Sequence, residues 1–288
     1  MFLFAATTVA LSFLGPLVNA QSTNDTALGI SAIEAHFTNA QLVPALLASF
    51  SPSALFTVTF SGVGAISPGQ NLSVEQVAAA PELTIVPANS SVSLAGNYTL
   101  VMADADVVGT NESVGQTRHW LVNGVTLKNG TSSNSSSSST PLNVSTTGGT
   151  AITDYAGPAP AEGSGPHRYV ILLLPQPSSF SPPSNLSKPN VGVSVFNLDD
   201  YISSSHLGQP IAGMYFDVQQ GTTNVTIPAT SAVVSSTLKP ATPASSTASS
   251  SASAAKQSGT KNAANRSENS LVAIPASLII LLASYIYL

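Results

Sequence analysis

Residues 169–174, YVILLL, are apolar without interruption or alternation. A strand with one face in water alternates apolar and polar side chains, so a strand of this kind has to be covered on both faces, at the centre of a sheet system. The run is entered through a Gly/Pro-rich loop, GPAPAEGSGP at 157–166, which hands over to His167 and Arg168. Whatever this chain folds into must bury that strand while leaving polar groups at its start.

Other segments carry alternating strand patterning. Phe56, Val58 and Phe60 alternate with Thr57 and Thr59, and Tyr98, Leu100 and Met102 alternate with Thr99 and Val101. Val92 and Leu94 alternate with serines, Val191, Val193 and Val195 alternate again, and a last strand is expected over 211–218. Helical spacing is confined to the margins: Ile30, Ile33 and Phe37 predict a short helix over 30–38. Asn197 offers an N-cap for one or two turns through Tyr201 and Ile202, with Gly208 placed to end them. The expected fold is mostly β, with small peripheral helices.

The two ends read differently from the middle. Residues 2–14 form a short apolar run, closed by the small-residue signature Val18-Asn19-Ala20, which predicts a signal peptide over 1–20 although its start lacks Lys or Arg. Residues 271–288, LVAIPASLIILLASYIYL, are apolar to the last position, and as a helix would span about 27 Å against a bilayer core of roughly 30 Å. A stop-transfer helix is normally followed by cytoplasmic Lys or Arg. With nothing after it, the run fits a glycosylphosphatidylinositol attachment signal better than an ordinary membrane helix. Candidate attachment positions lie within 258–265, Asn262 among them. Residues 230–270, rich in Ser, Thr, Ala and Pro, cannot bury enough apolar surface to offset their ordering entropy and read as a stalk. The folded head is expected over 21–229, interrupted by a low-complexity surface excursion at 128–150.

Only 7% of the 288 residues are charged, against roughly 25% in ordinary soluble domains. In a chain routed to the cell surface, N-glycans would supply the missing solubility, and Asn24, Asn71, Asn89, Asn97, Asn111, Asn129, Asn134, Asn143, Asn185, Asn224 and Asn265 all begin Asn-X-Ser/Thr sequons. Eight Lys plus Arg and a formal charge of −5 argue against nucleic acid as a partner. The absence of cysteine removes disulfides, thiolate metal sites and cysteine nucleophiles together.

Chemistry-bearing residues gather in two stretches. In 97–124, Asp104 and Asp106 follow a strand-like run, and Arg118, His119 and Trp120 follow a polar loop; in 157–177, His167, Arg168 and Tyr169 open the central strand. Carboxylate, imidazole and phenol at strand ends could hold an anion such as phosphate, or act as acid and base. On spacing alone, each His or Asp is better read as a turn or strand-end residue satisfying local backbone groups. No nucleophile elbow is present, because Glu162-Gly163-Ser164-Gly165-Pro166 lacks the pattern and the following helix. The four histidines have no metal-ligand spacing, and neither a Walker A nor a dinucleotide fingerprint occurs. No catalytic residue, metal or cofactor is therefore assigned.

Taken together, the two stretches resemble the two signature regions of the phosphatidylethanolamine-binding protein family, in its secreted, fungal-like form. The family's first region is a D-P-D-x-P turn followed by His-Phe/Trp-Leu-Val; here it reads Asp104-Ala105-Asp106-Val107-Val108, then His119-Trp120-Leu121-Val122-Asn123. The second is G-P-P-x-G-x-G-x-H-R-Y; here Gly157-Pro158-Ala159-Pro160, Gly163, Gly165, His167, Arg168 and Tyr169 match it with a slightly expanded loop. Residues 207–213, LGQPIAG, are similar to the family's final helix-to-strand segment. Both prolines of the first turn are absent, so nothing covalent presets it.

The resemblance implies an antiparallel β-sandwich with peripheral helices, and a pocket for a phosphate-bearing ligand such as a phospholipid head group. The implied pocket residues are Asp104, His119, His167 and Tyr169, with Pro158 on the rim and an Asp106–Arg168 ion pair tying the two regions together. It implies a non-catalytic binding protein on the outer cell surface, held to the membrane by its lipid anchor. The alternative is a protease regulator similar to serine carboxypeptidase inhibitors.

Overall fold

The computed structural model describes residues 15–129, 140–223, 225–230, 232–234 and 237–241, with side chains described from residue 25 onward. All of these lie within the compact unit Met1–Ser245. The terminal apolar run, Asn262, most of the stalk, residues 1–14 and the sequons Asn134, Asn224 and Asn265 fall outside the described residues, as does the side chain of Asn24.

Eleven strands and two α-helices make up the described fold. Helix α1 (Gly15–Asn39) precedes β1 (Ala54–Phe60), β2 (Gly64–Ala65), β3 (Gln70–Leu72), β4 (Glu82–Pro87), β5 (Asn97–Asp104) and β6 (Gln116–Asn129). Then come β7 (Leu142–Ser145), β8 (Thr150–Thr153), β9 (His167–Gln176), β10 (Ser194–Phe196), α2 (Leu198–Ser204) and β11 (Ala212–Val218). Strands run in the order β2-β1-β4-β7-β6-β5-β9-β11-β3, with β8 and β10 also on β6. Strand β6 belongs to both layers: its first half pairs with β5, β8 and β10, and its last four residues pair with β7. All pairings are antiparallel except β3 on β11. The fold is thus mostly β, a curled sheet folded into a sandwich with few helices.

The central run behaves as its composition demands. Tyr169 through Leu174 are all 0% exposed, on a strand flanked by β5 and β11. Aromatic rings join the layers, with Phe60 edge-on to Phe216 at 5.3 Å, and Phe37 of α1 stacked on Phe50 at 4.2 Å and edge-on to Tyr215. Side chains buried this fully contribute roughly 1.5–3 kcal/mol each, so a head without disulfides has an adequate core.

Several expectations are corrected. The Val92–Leu94 alternation is not a strand: Asn89 Oδ1 accepts from Ser91 N at 2.8 Å, and Asn-Ser-Ser takes the local turn that competes with a sheet ladder. The neighbouring strand is β4, with Leu83 and Ile85 buried. The 191–195 alternation yields only the three-residue edge strand β10, with Val193 and Val195 exposed. The 128–150 excursion contains strand β7, which bridges β4 and β6. Helix α1 includes the expected 30–38 turn but begins at Gly15, so its backbone continues across the expected cleavage point at 20. The start of the stalk lies on that helix, with Ser31 Oγ donating to Lys239 O at 2.7 Å and Ala241 N to Ala27 O at 3.0 Å.

Helix α2 begins as expected, Asn197 Oδ1 accepting from Asp200 N, but ends at Ser205 rather than Gly208. Gly208 instead sits under Pro175, where a Cβ would be 2.6 Å from the proline ring. Among the described sequons Asn71, Asn97, Asn111, Asn129, Asn143 and Asn185 are exposed and Asn89 is partly so.

Candidate functional site

The ends of β5, β6 and β9 bring the two sequence stretches together. Asp104, the last residue of β5, lies opposite Thr117 of β6 and Tyr169 of β9. His167 precedes Tyr169 by two residues, which puts it on the same sheet face. On β6 the register slips between the pairs Met102–Trp120 and Ala103–Arg118, leaving His119 as an inserted residue. Such a bulge re-aims side chains, and here the His119 ring meets Tyr169 edge-on at 5.2 Å. Tyr169 also stacks on Phe216 and faces His167 at 6.5 Å.

The turn after β5 lacks its prolines and is held by hydrogen bonds instead. Asp104 Oδ1 accepts from Asp106 N, and Asp106 Oδ1 from Val107 N, both at 2.7 Å. Across the gap Ala105 N donates to Arg168 O, and Arg168 N to Asp106 O. The Arg168 guanidinium collects the carbonyls of Ala105, Asp106 and Val107, together with Ala40 O after α1. The expected Asp106–Arg168 ion pair is not formed between side chains. Arg168 Nη2 bridges to Glu112 Oε1 at 2.9 Å, and it reaches Asp106 only through that residue's carbonyl. A buried guanidinium needs a buried counter-ion, and the Asp106 carboxylate is 49% exposed whereas Glu112 is 3% exposed. Glu112 is held in a 3-10 turn (Glu112–Val114) capped by Asn111, and receives Gln116 Nε2 as well. Burial pushes its carboxyl up, against the hydrogen bond from Gln116 and the charge of Arg168. Sequence reasoning missed Glu112; its signal was an isolated acid in a chain with few charges.

His167 is bound on both ring nitrogens. Nδ1 lies 3.0 Å from Asp104 Oδ2, and Nε2 lies 2.9 Å from Ser164 Oγ and 3.5 Å from Asp106 Oδ1. The Ser164 hydroxyl also contacts Ala161 O at 2.7 Å. A carbonyl can only accept, so the serine's one proton goes to Ala161 and its oxygen accepts from Nε2. Both ring nitrogens then donate, which is the imidazolium form. Burial alone would lower the His167 pKa, but the hydrogen bond to Asp104 and the charges of Asp104 and Asp106 outweigh it and raise the value. The Asp104–His167–Ser164 line has the order of a serine-hydrolase relay, with the serine proton pointing the wrong way for one.

His119 Nδ1 lies 3.0 Å from Ala156 O and therefore donates to it. The Tyr169 hydroxyl, on β9 with His167, is buried and approaches Asp104 without full hydrogen-bond geometry. Burial, then the charge of Asp104 and the side-chain contact with it, raises its pKa, so it remains a neutral donor. Pro158 is buried in the loop two residues beyond Ala156.

The segment after β11 forms a wall absent from the sequence reading. Gly163 N donates to Gln220 O at 2.9 Å, and Gln220 Nε2 donates to Pro160 O. A Cβ on Gly165 would be 2.8 Å from Ile227 Cδ1, so this segment closes directly on the loop that carries Ser164. Among the described residues no three His, Asp or Glu side chains gather closely enough to hold a metal ion. The arrangement offers two imidazoles, one of them charged, and a buried neutral phenol. Those groups suit an anion.

Residues 50–216 match the family model described as phosphatidylethanolamine-binding protein. CEN-like protein 1 of Nicotiana tabacum is 28% identical over 184 residues, covering 64% of this chain and 91% of that protein. The carboxypeptidase Y inhibitor of Saccharomyces cerevisiae is 31% identical over 144 residues, 45% of this chain and 65% of the inhibitor. Among solved structures, a carboxypeptidase Y inhibitor complexed with its cognate proteinase superposes with a TM-score of 0.53 at 21% identity, covering 70% of this chain and 99% of that one.

Proposed function

Because this chain belongs to the phosphatidylethanolamine-binding protein family, we propose that it binds a phosphate-bearing ligand, such as a phospholipid head group, between His119, His167 and Tyr169 and does not turn it over. The observation that carries this reading is the gathering of the charged His167 imidazole and the His119 ring around the buried Tyr169 hydroxyl, whose approach to Asp104 falls short of full hydrogen-bond geometry. A buried donor without a well-made hydrogen bond costs up to about 1–3 kcal/mol, and a ligand oxygen would reduce that cost. His167 supplies positive charge, Asp104 orients it, and the His119 ring, fixed by Ala156 O, stands edge-on to Tyr169. Ser164 gives its proton to Ala161 rather than to His167, which favours binding over nucleophilic attack.

The test is titration of the full chain with inorganic phosphate, phosphoethanolamine and anionic or zwitterionic vesicles, comparing wild type with His119→Ala and His167→Ala. Each substitution is expected to weaken phosphate binding about tenfold or more, the loss of one charge-assisted contact. Binding indifferent to both substitutions overturns the assignment. A second reading, regulation of a serine carboxypeptidase, rests on the likeness to the yeast inhibitor. It is favoured if the chain inhibits such an enzyme while phosphate binding is absent.

The placement proposed with this function is the outer cell surface, on a glycosylphosphatidylinositol anchor replacing residues 271–288. Release by a phosphatidylinositol-specific phospholipase supports it; retention on a susceptible membrane preparation counts against it.

A further inference from the structure

Arg118 points away from this pocket. It pairs with Ala103 on β5 and Ser194 on β10, which puts it on the sheet face opposite Asp104. The residue is 1% exposed. Its Nε donates to Thr153 Oγ1 at 2.6 Å, and its Nη2 donates to Gly192 O at 3.0 Å and Ser194 Oγ at 3.1 Å. The guanidinium carbon lies 5.4 Å from the centre of the Phe196 ring. Nη1, with two N–H groups, has no acceptor among the described residues, and no described carboxylate pairs with Arg118. A buried cation without a counter-ion is costly and uncommon; Arg168, on β9 across the intervening β5, has Glu112.

Arg118 lines a cavity of about 400 Å³ with Leu186, Val191 and Phe196 as apolar walls and the exposed Ser204 and Asp200 at its rim. That volume lies within the usual range for small-ligand sites, roughly 300–1,000 Å³. We propose that the cavity is a second binding site, for a small monoanion on an apolar body, such as a medium-chain carboxylate, with Arg118 Nη1 as its charge partner. One unpaired charge and two uncommitted N–H donors match a carboxylate. A phosphate dianion would bring a second charge that nothing here neutralises, at a large desolvation cost. The exposed Asp200 carboxylate disfavours an anion at the mouth, so the charged end goes inward to Arg118 and the hydrocarbon lies along Leu186 and Phe196.

Octanoate is the probe, titrated by calorimetry into the full chain freed of N-glycans, because Asn185 stands at the same rim. Wild type is expected to bind it, and 1-octanol about tenfold more weakly, for want of the charge. Arg118→Gln removes the charge but also disturbs three hydrogen bonds. Ser204→Trp therefore serves as the second variant: it fills the mouth from an exposed position and is expected to abolish binding with an unchanged melting temperature. His119→Ala and His167→Ala are expected to leave octanoate binding intact. The proposal is overturned if wild type binds no octanoate up to about 10 mM, an interaction weaker than roughly 3 kcal/mol. It is equally overturned if octanol binds as tightly, if Ser204→Trp has no effect, or if the histidine variants abolish binding.

Discussion

Arg168 Nη2 and Glu112 Oε1 lie 2.9 Å apart with side chains only 2% and 3% exposed, and this contact joins the central strand to the 3-10 turn that precedes β6. The guanidinium also gathers carbonyls from the turn after Asp104 and from the end of α1, so its placement fixes three segments at once. Glu112→Ala leaves that charge buried and uncompensated and is expected to cost about 3–5 kcal/mol, read by urea denaturation. Asp106→Asn should cost under about 1 kcal/mol, because Asn tolerates the positive φ of 53° and can still accept from Val107 N. Equal costs for the two variants would mean that the Asp106 carboxylate, and not Glu112, anchors Arg168.

Proton NMR of His167 should show a pKa above its ordinary 6.5, and Asp104→Asn should bring it down, since burial is then opposed only by Asp106. The stability linkage follows from the sign of that shift. A histidine with a raised folded pKa contributes stability that is complete below the unfolded value near 6.5 and is lost as pH climbs through the folded value. Wild type should therefore exceed His167→Gln in melting temperature by more at pH 5.5 than at pH 8.5. A constant difference across that range would mean that the His167 pKa is unshifted on folding, and a difference that grows toward pH 8.5 would show His167 to be held neutral and would reverse the hydrogen-bond direction assigned to Ser164.

Gly115 closes the 3-10 turn that presents Glu112, with φ at 101° and its N–H on Glu112 O. A Cβ there would stand 2.8 Å from the Phe196 carbonyl oxygen, which belongs to rigid backbone. Gly115→Ala combines a backbone region costing about 1–3 kcal/mol for non-glycine residues with a clash. The expected result is a lower melting temperature, together with weaker protection of the Arg168 backbone amide from hydrogen exchange. If thermal stability is unchanged, the turn is not held as described.

How much of this was legible in advance depended on the range of the forces involved. The uninterrupted 169–174 run and the Thr57/Thr59 alternation record burial directly, and both strands lie where their patterns put them. Asn197 acts within one turn of helix, and its cap was readable for the same reason. The Val92–Leu94 pattern failed because Asn89 forms a local turn that hydrophobic alternation does not encode. Strand β7 was hidden in serine-rich sequence because its pairing with β4 and β6 is non-local. At the site, Asp104, His119, His167 and Tyr169 lie close together at the ends of β5, β6 and β9. The partner of Arg168 was misassigned because the nearer acid in the motif, Asp106, is exposed, and only the folded chain shows that Glu112 is buried beside the guanidinium.

Asp217 completes the set of charges around the central strand and is the one the fold accommodates worst. It lies opposite Arg168 on β11, with Oδ1 buried and without a hydrogen-bond partner. Burial raises its pKa from 3.8 to about 7, against the opposing charge of Arg168. Between those two values the folded state keeps a proton that the unfolded chain releases, so stability falls as pH rises through that window. Asp217→Asn removes the titration while keeping the shape. It should leave stability nearly unchanged at pH 4 and raise it at pH 7.5, by a few kcal/mol and at most about 4, the full linkage for such a change in pKa. Chemical denaturation of both proteins across that range provides the measurement. A variant less stable than wild type at pH 7.5 would mean that the Asp217 carboxylate is ionised and favourably engaged with Arg168, and the counter-ion of Arg168 would then be shared between Glu112 and Asp217.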